Sequence, residues 1–115
     1  MNSIPLDILC EQYFDVKDDL TELSVYLKPH DYQMFESGPW LFFNNDSGIL
    51  PTQGWKGHLS TVLENSKITL ETAVSVFKQF GCVYKVSRNE GILKILNNIH
   101  APIQTANKFI TFYPK

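Results

Sequence analysis

The sequence predicts an α+β (mixed α/β) domain, a twisted sheet of mostly antiparallel or mixed direction packed by helices. Three observations carry this. Apolar residues recur at helical spacing in three separate stretches, short aromatic and β-branched runs lie between them, and the elements follow the order helix, strand, strand, helix, strand, helix, strand. With 115 residues the chain has room for one core.

The first element spans Ile4 to Lys28, where Tyr13, Val16 and Leu20, then Leu20, Leu23 and Leu27, fall on one helical face before Pro29 stops the helix. Its apolar strip is expected to dock on the domain's own sheet. Trp40 to Phe43 follows as a short apolar strand in a hairpin or loop region marked by Gly38-Pro39, the Asn44 to Gly48 run and Pro51. In the next strand Lys56, His58 and Ser60 alternate with Trp55, Gly57, Leu59 and Thr61, so the three polar residues share a face. A long helix then carries Leu70, Ala73, Val74, Phe77 and Phe80 and ends at Gly81. Cys82 to Val86 reads as a strand with Lys85 opposite to Tyr84 and Val86. Ser87 and Glu90 have capping-box spacing, placing a helix start near Arg88 with Ile92, Leu93, Leu96 and Ile99 turned inward until Pro102. The strand Phe109 to Tyr113 closes the fold.

Charge is divided along the chain. Residues 1–31 hold seven acids against Lys17 and Lys28, whereas residues 32–115 hold five acids against eight bases. The division separates an acidic helical N-terminal segment, 1–31, from a core, 32–115, whose cations suit an anion. No apolar run is long enough for a membrane span and the N-terminus lacks a secretory signal, so the expected location is the cytoplasm, with no membrane partner. Cys10 and Cys82 lack CxxC spacing and are expected to be buried hydrophobes.

Phosphate-loop, dinucleotide, zinc-protease, nucleophile-elbow and calcium-loop patterns are absent from the sequence. The three histidines are too dispersed for a metal site. His58 stands apart because it shares a strand face with Lys56 and Ser60, while Lys85 and Arg88 lie on a second strand and at a helix start. Those groups together suit a phosphate. An RNA-binding sheet built on Phe109, Phe112 and Tyr113 beside Lys108 is disfavoured by the acidic balance and by the lack of a glycine-aromatic motif.

The segments Gly38-Pro39-Trp40, Pro51-Thr52-Gln53-Gly54, Trp55-Lys56-Gly57-His58-Leu59-Ser60-Thr61, Glu64-Asn65, Val83-Tyr84-Lys85-Val86-Ser87-Arg88 and Lys108-Phe109-Ile110-Thr111-Phe112-Tyr113-Pro114 resemble, in the same order, the N-terminal lyase domain of class III lanthipeptide synthetases. The resemblance runs from Tyr32 to the C-terminus. It implies a fold similar to phosphothreonine lyase effectors and a β-elimination that converts phosphoserine or phosphothreonine of a ribosomally made precursor peptide into dehydroalanine or dehydrobutyrine. Kinase and cyclase domains of the same synthetase are the implied partners, with no metal or organic cofactor in the step.

Position by position, the resemblance makes Lys85 the general base and His58 the general acid. Lys56 and Arg88 become phosphate contacts, and Lys108 joins the binding set without a defined role. Nearby cations, Lys56 and Arg88, are expected to depress the Lys85 ammonium. Gly57 replaces the branched apolar residue usual in the family, which predicts a looser or bulged central strand beside His58. The family's lyase domain continues with further arginines, so residues 1–115 are expected to be a truncated core. The alternative reading is a catalytically silent module that recognises the leader peptide, and the acidic helix is one surface such a peptide would meet.

Overall fold

The computed structural model describes residues 5–45, 55–98 and 107–114. Along the chain these form α1 (Leu6–Cys10), α2 (Asp19–Tyr26), β1 (Gln33–Ser37), β2 (Trp40–Asn44), β3 (Gly57–Leu59), α3 (Ser66–Phe80), β4 (Val83–Ser87), α4 (Glu90–Leu96) and β5 (Ile110–Tyr113), with single 3-10 turns at Glu11–Tyr13 and Leu63–Asn65. The strands make one open sheet in the order β1-β2-β4-β5-β3, and every described pairing is antiparallel. The α+β expectation is met, with the sheet antiparallel rather than mixed. Ile99, His100 and Pro102 lie outside the described residues, as do the turn signals of residues 46–54.

The predicted single helix over Ile4–Lys28 is broken. Asp18 adopts extended backbone and its carboxylate accepts from the Leu20 and Thr21 amides, starting α2 afresh. The same carboxylate accepts from the Glu90 amide, so one side chain serves two helix starts. Carbonyls freed by the break find donors far along the chain: Asn89 Nδ2 donates to Tyr13 and Val16, and Arg88 Nη2 donates to Phe14. The apolar strip is used internally, with Leu20 fully buried and Leu23 and Leu27 packed against the core.

β1 is the element that the periodicity does not announce. Its residues are mostly exposed, because it is an edge strand whose position depends on pairing with β2 through the Gly38-Pro39 turn, where Gly38 takes φ +55°. α4 starts at Glu90, capped by the Asn89 side chain, which accepts from the Ile92 amide. The expected Ser87–Glu90 box does not form, since the Ser87 hydroxyl instead donates to the Asn89 carbonyl.

α3 follows its predicted pattern. Leu70, Ala73, Val74 and Phe77 are buried, Phe80 is exposed, and Gly81 caps the helix in the left-handed region. This face packs on Leu41, Phe43, Tyr84, Val86 and Ile110 of the sheet. Cys10 and Cys82 are buried free thiols, and burial together with Asp7 pushes the Cys10 thiol up to about 11. Tyr84 is fully buried among Phe43, Phe77 and Tyr32, and its hydroxyl has no hydrogen-bond partner among the described residues. Tyr84→Phe is therefore expected to raise unfolding stability by about 1 kcal/mol, read as a higher urea midpoint at unchanged slope.

Candidate functional site

The sheet has two unlike faces. Leu41, Phe43, Tyr84, Val86, Ile110 and Phe112 turn toward α3, and the residues alternating with them turn the other way. Register aligns five of the latter across all five strands: Phe35 opposes Phe42, Phe42 opposes Lys85, Lys85 opposes Thr111, and Thr111 opposes His58. Directly opposed residues in an antiparallel pair point to the same face. Lys85 and His58 are thus brought together, two strand spacings or about 10 Å apart at the backbone, with Thr111 between them.

Lys85 is half-buried. Its Nζ lies 4.5 Å from the Trp40 ring centroid and 5.5 Å from that of Phe42, and Phe42 stacks on Phe35. Trp40 is buried with α4 and α1 residues, so the platform is fixed from behind. The rings attract the ammonium. Loss of water around Nζ works the other way, joined by the Lys56 and then the Lys108 charges, and together these lower the Lys85 pKa. The depressing cations are thus Lys56 and Lys108, not the expected Lys56 and Arg88.

His58 lies on β3, an edge strand and not the expected central one. No bulge occurs, because Gly57, His58 and Leu59 pair in unbroken register with Phe112, Thr111 and Ile110. Glycine at 57 has a steric cause: a Cβ there would clash with the outer edge of the Phe112 ring. The exposed imidazole meets the Thr111 hydroxyl, with Nδ1 and Oγ1 3.0 Å apart. Partial desolvation, then Lys108, Lys56 and Lys85, lower the His58 pKa. Lys56, exposed just before β3, and Lys108, just before β5, therefore act on both groups.

Arg88 is placed differently. It is 9% exposed; Nη1 donates to the Gly38 carbonyl at 3.0 Å, and Nη2 donates to the Phe14 carbonyl at 2.6 Å and to Glu36 Oε2 at 3.0 Å. The guanidinium also lies over the Phe14 ring. The fork expected to grip phosphate at a helix N-terminus instead ties the N-terminal segment to the β1–β2 turn, and α4 begins two residues later.

Two contributors were not singled out from sequence: Thr111, the lone polar residue in the Ile110–Tyr113 strand beside Phe109, and Trp40. The Thr111 signal is that polar interruption, while nothing local in Trp40 marks it as the seat of Lys85. Phe109 is buried and Phe112 packs on Phe77, so these aromatics form core and not an open stacking surface. On the opposite side of the sheet an apolar groove of about 740 Å³ runs between α3 and the β5–β3 edge, lined by Ile68, Val76, Phe80, Phe112 and Leu59 among others. It contains no titratable group apart from Cys82, whereas Lys85 and His58 lie on the other face of the sheet. Among the described residues no cluster of His, Cys, Asp and Glu is arranged for a metal, and no helix is long and apolar enough to cross a membrane.

The family model described as RamC, N-terminal domain, matches residues 21–115, and so takes in most of α2 as well as everything after it. Among curated proteins, the chain is 33% identical over 86 residues to the probable SapB synthase of Streptomyces coelicolor (strain ATCC BAA-471 / A3(2) / M145). That alignment covers 75% of this chain and 9% of the relative, so the chain spans about a tenth of that protein's length.

Proposed function

Because the chain belongs to the family of RamC N-terminal domains, we propose that it is the phosphoserine/phosphothreonine lyase domain of a class III lanthipeptide synthetase. In this reading it acts on a phosphorylated ribosomal precursor peptide, alongside kinase and cyclase domains of the same synthetase. The observation that carries the reading is the placement of Lys85 and His58 in one cross-strand row, either side of Thr111.

The chemistry follows from the two groups. The Cα proton of a phosphorylated residue is weakly acidic, so its removal needs a neutral amine, and desolvation with the Lys56 and Lys108 charges moves Lys85 toward that form. As Nζ takes the proton, the C–H electron pair becomes the Cα=Cβ bond and the Cβ–O bond breaks with its pair on the phosphate. His58 Nε2 gives that oxygen a proton. The sum is one alkene and one phosphate, with Lys85 gaining and His58 losing a proton. The cations that help Lys85 also depress the imidazolium, and a bound phosphate dianion acts against them, favouring the charged acid when substrate is present. Arg88 serves here as a positioning residue, holding the β1–β2 turn from which Trp40 projects under Lys85.

The test is mass spectrometry of a phosphothreonine-containing precursor peptide incubated with the chain, beside His58→Asn. Loss of phosphoric acid that falls about 10²-fold or more in the variant is the expected result. The pH profile of kcat/KM gives the sign. In the native chain the rate rises while the low-pKa His58 remains protonated, levels once it begins to lose its proton, and falls above the Lys85 pKa. His58→Asn removes the first break and the alkaline fall, leaving a rate that climbs until Lys85 is neutral. The catalytically silent leader-recognition alternative draws on the exposed apolar groove beside α3, and it predicts peptide binding with no loss of phosphate.

A further inference from the structure

We infer that Thr111 is the positioning residue for His58: its hydroxyl holds Nδ1, so that Nε2 is the nitrogen presented to the leaving phosphate in both protonation states of the ring. The inference rests on the lyase reading for its role in turnover, though the hydrogen bond stands on geometry alone.

Thr111 is 2% exposed on β5, an interior strand paired with β4 on one side and β3 on the other. A buried hydroxyl needs a partner, and this one meets His58 Nδ1 at 3.0 Å. Branching at Cβ restricts the side chain to few rotamers, and register on both sides fixes the backbone, so the hydroxyl is a rigid anchor for a ring that is otherwise exposed at the sheet edge.

The choice of a hydroxyl has a chemical consequence. It accepts from Nδ1–H of the imidazolium and goes on accepting from it in the neutral ring left when Nε2 gives up its proton, so it fits both states of an acid that must discharge and reload. A carboxylate at this position would stabilise the imidazolium and weaken the acid, and a methyl group would leave the ring free to turn. With a hydroxyl, acid strength is left to the charges that face the ring, Lys56, Lys85 and Lys108, while direction is set by Thr111.

The isosteric Thr111→Val variant and the conservative Thr111→Ser variant test this in the full chain. Heteronuclear NMR of the neutral His58 ring, without substrate, should show the Nδ1–H tautomer enriched in the native chain and in Thr111→Ser, and a shift toward the Nε2–H tautomer in Thr111→Val. With a phosphothreonine peptide, Thr111→Val should lose about 10-fold or more in kcat with KM within about threefold, and Thr111→Ser should recover most of the rate. A tautomer ratio identical in the native chain and Thr111→Val overturns the inference, as does native kcat in Thr111→Val. The tautomer is read without turnover, so a native chain that eliminates no phosphate counts against the lyase reading instead. Thermal unfolding of each variant excludes loss of fold as the cause.

Discussion

Replacing Lys85 with alanine is expected to lower kcat for phosphate elimination by about 10³-fold or more, while the dissociation constant for a phosphothreonine peptide stays within about threefold. The asymmetry follows from where the residue sits. Lys85 stands on the Trp40 and Phe42 rings, and in the lyase reading the exposed Lys56 and the half-buried Lys108 are the cations that meet the dianion. Removal of Lys85 takes away the proposed base and leaves those charges in place. It also relieves repulsion within a like-charged cluster, so the fold should tolerate it. Lys85→Arg should be equally inactive, because a guanidinium retains its proton at working pH. Single-turnover mass spectrometry with calorimetric binding separates the two quantities. Lost binding with normal turnover of the bound fraction would make Lys85 a phosphate clamp and leave the base unassigned.

Arg88→Ala should destabilise the domain by about 3 kcal/mol, a fall in Tm of about 10 °C or more. Its guanidinium is nearly buried and serves two backbone carbonyls, 74 and 50 positions away along the chain, together with Glu36. Once it is gone, the Phe14 and Gly38 carbonyls lose their donor in a site where water has little access. Glu36 is half-exposed and recovers hydration, so it contributes the smaller part. Arg88→Lys should recover little of the stability, since one ammonium does not span the three acceptors. Calorimetry checks the stability, and peptide affinity below the melting range checks the role. Native-like stability with phosphopeptide affinity lost would return Arg88 to the phosphate-binding set.

Legibility in the sequence followed the range of the interaction behind each feature. α3, with its Gly81 end, β4 with Lys85 turned away from Tyr84, and β5 all come from local patterns, and all three form as expected. The N-terminal helix misled because its apolar spacing continues through Val16. Asp18 breaks it by capping α2 and accepting from Glu90, an interaction 72 residues long. β1 has too few buried positions to show a period, and Arg88, read locally, looked like an anion site at a helix start.

The sequence alone determined the α+β class, the apolar faces that build the core, and the candidacy of His58 and Lys85, because side-chain periodicity and motif spacing are properties of neighbouring residues. Tertiary structure decided that Thr111 stands between those two, that Trp40 lies beneath Lys85, that Lys108 joins Lys56 in acting on both, and that Arg88 is spent on carbonyls. These facts depend on strand order and register, which are fixed only when strands distant in the chain pair and bury one face together.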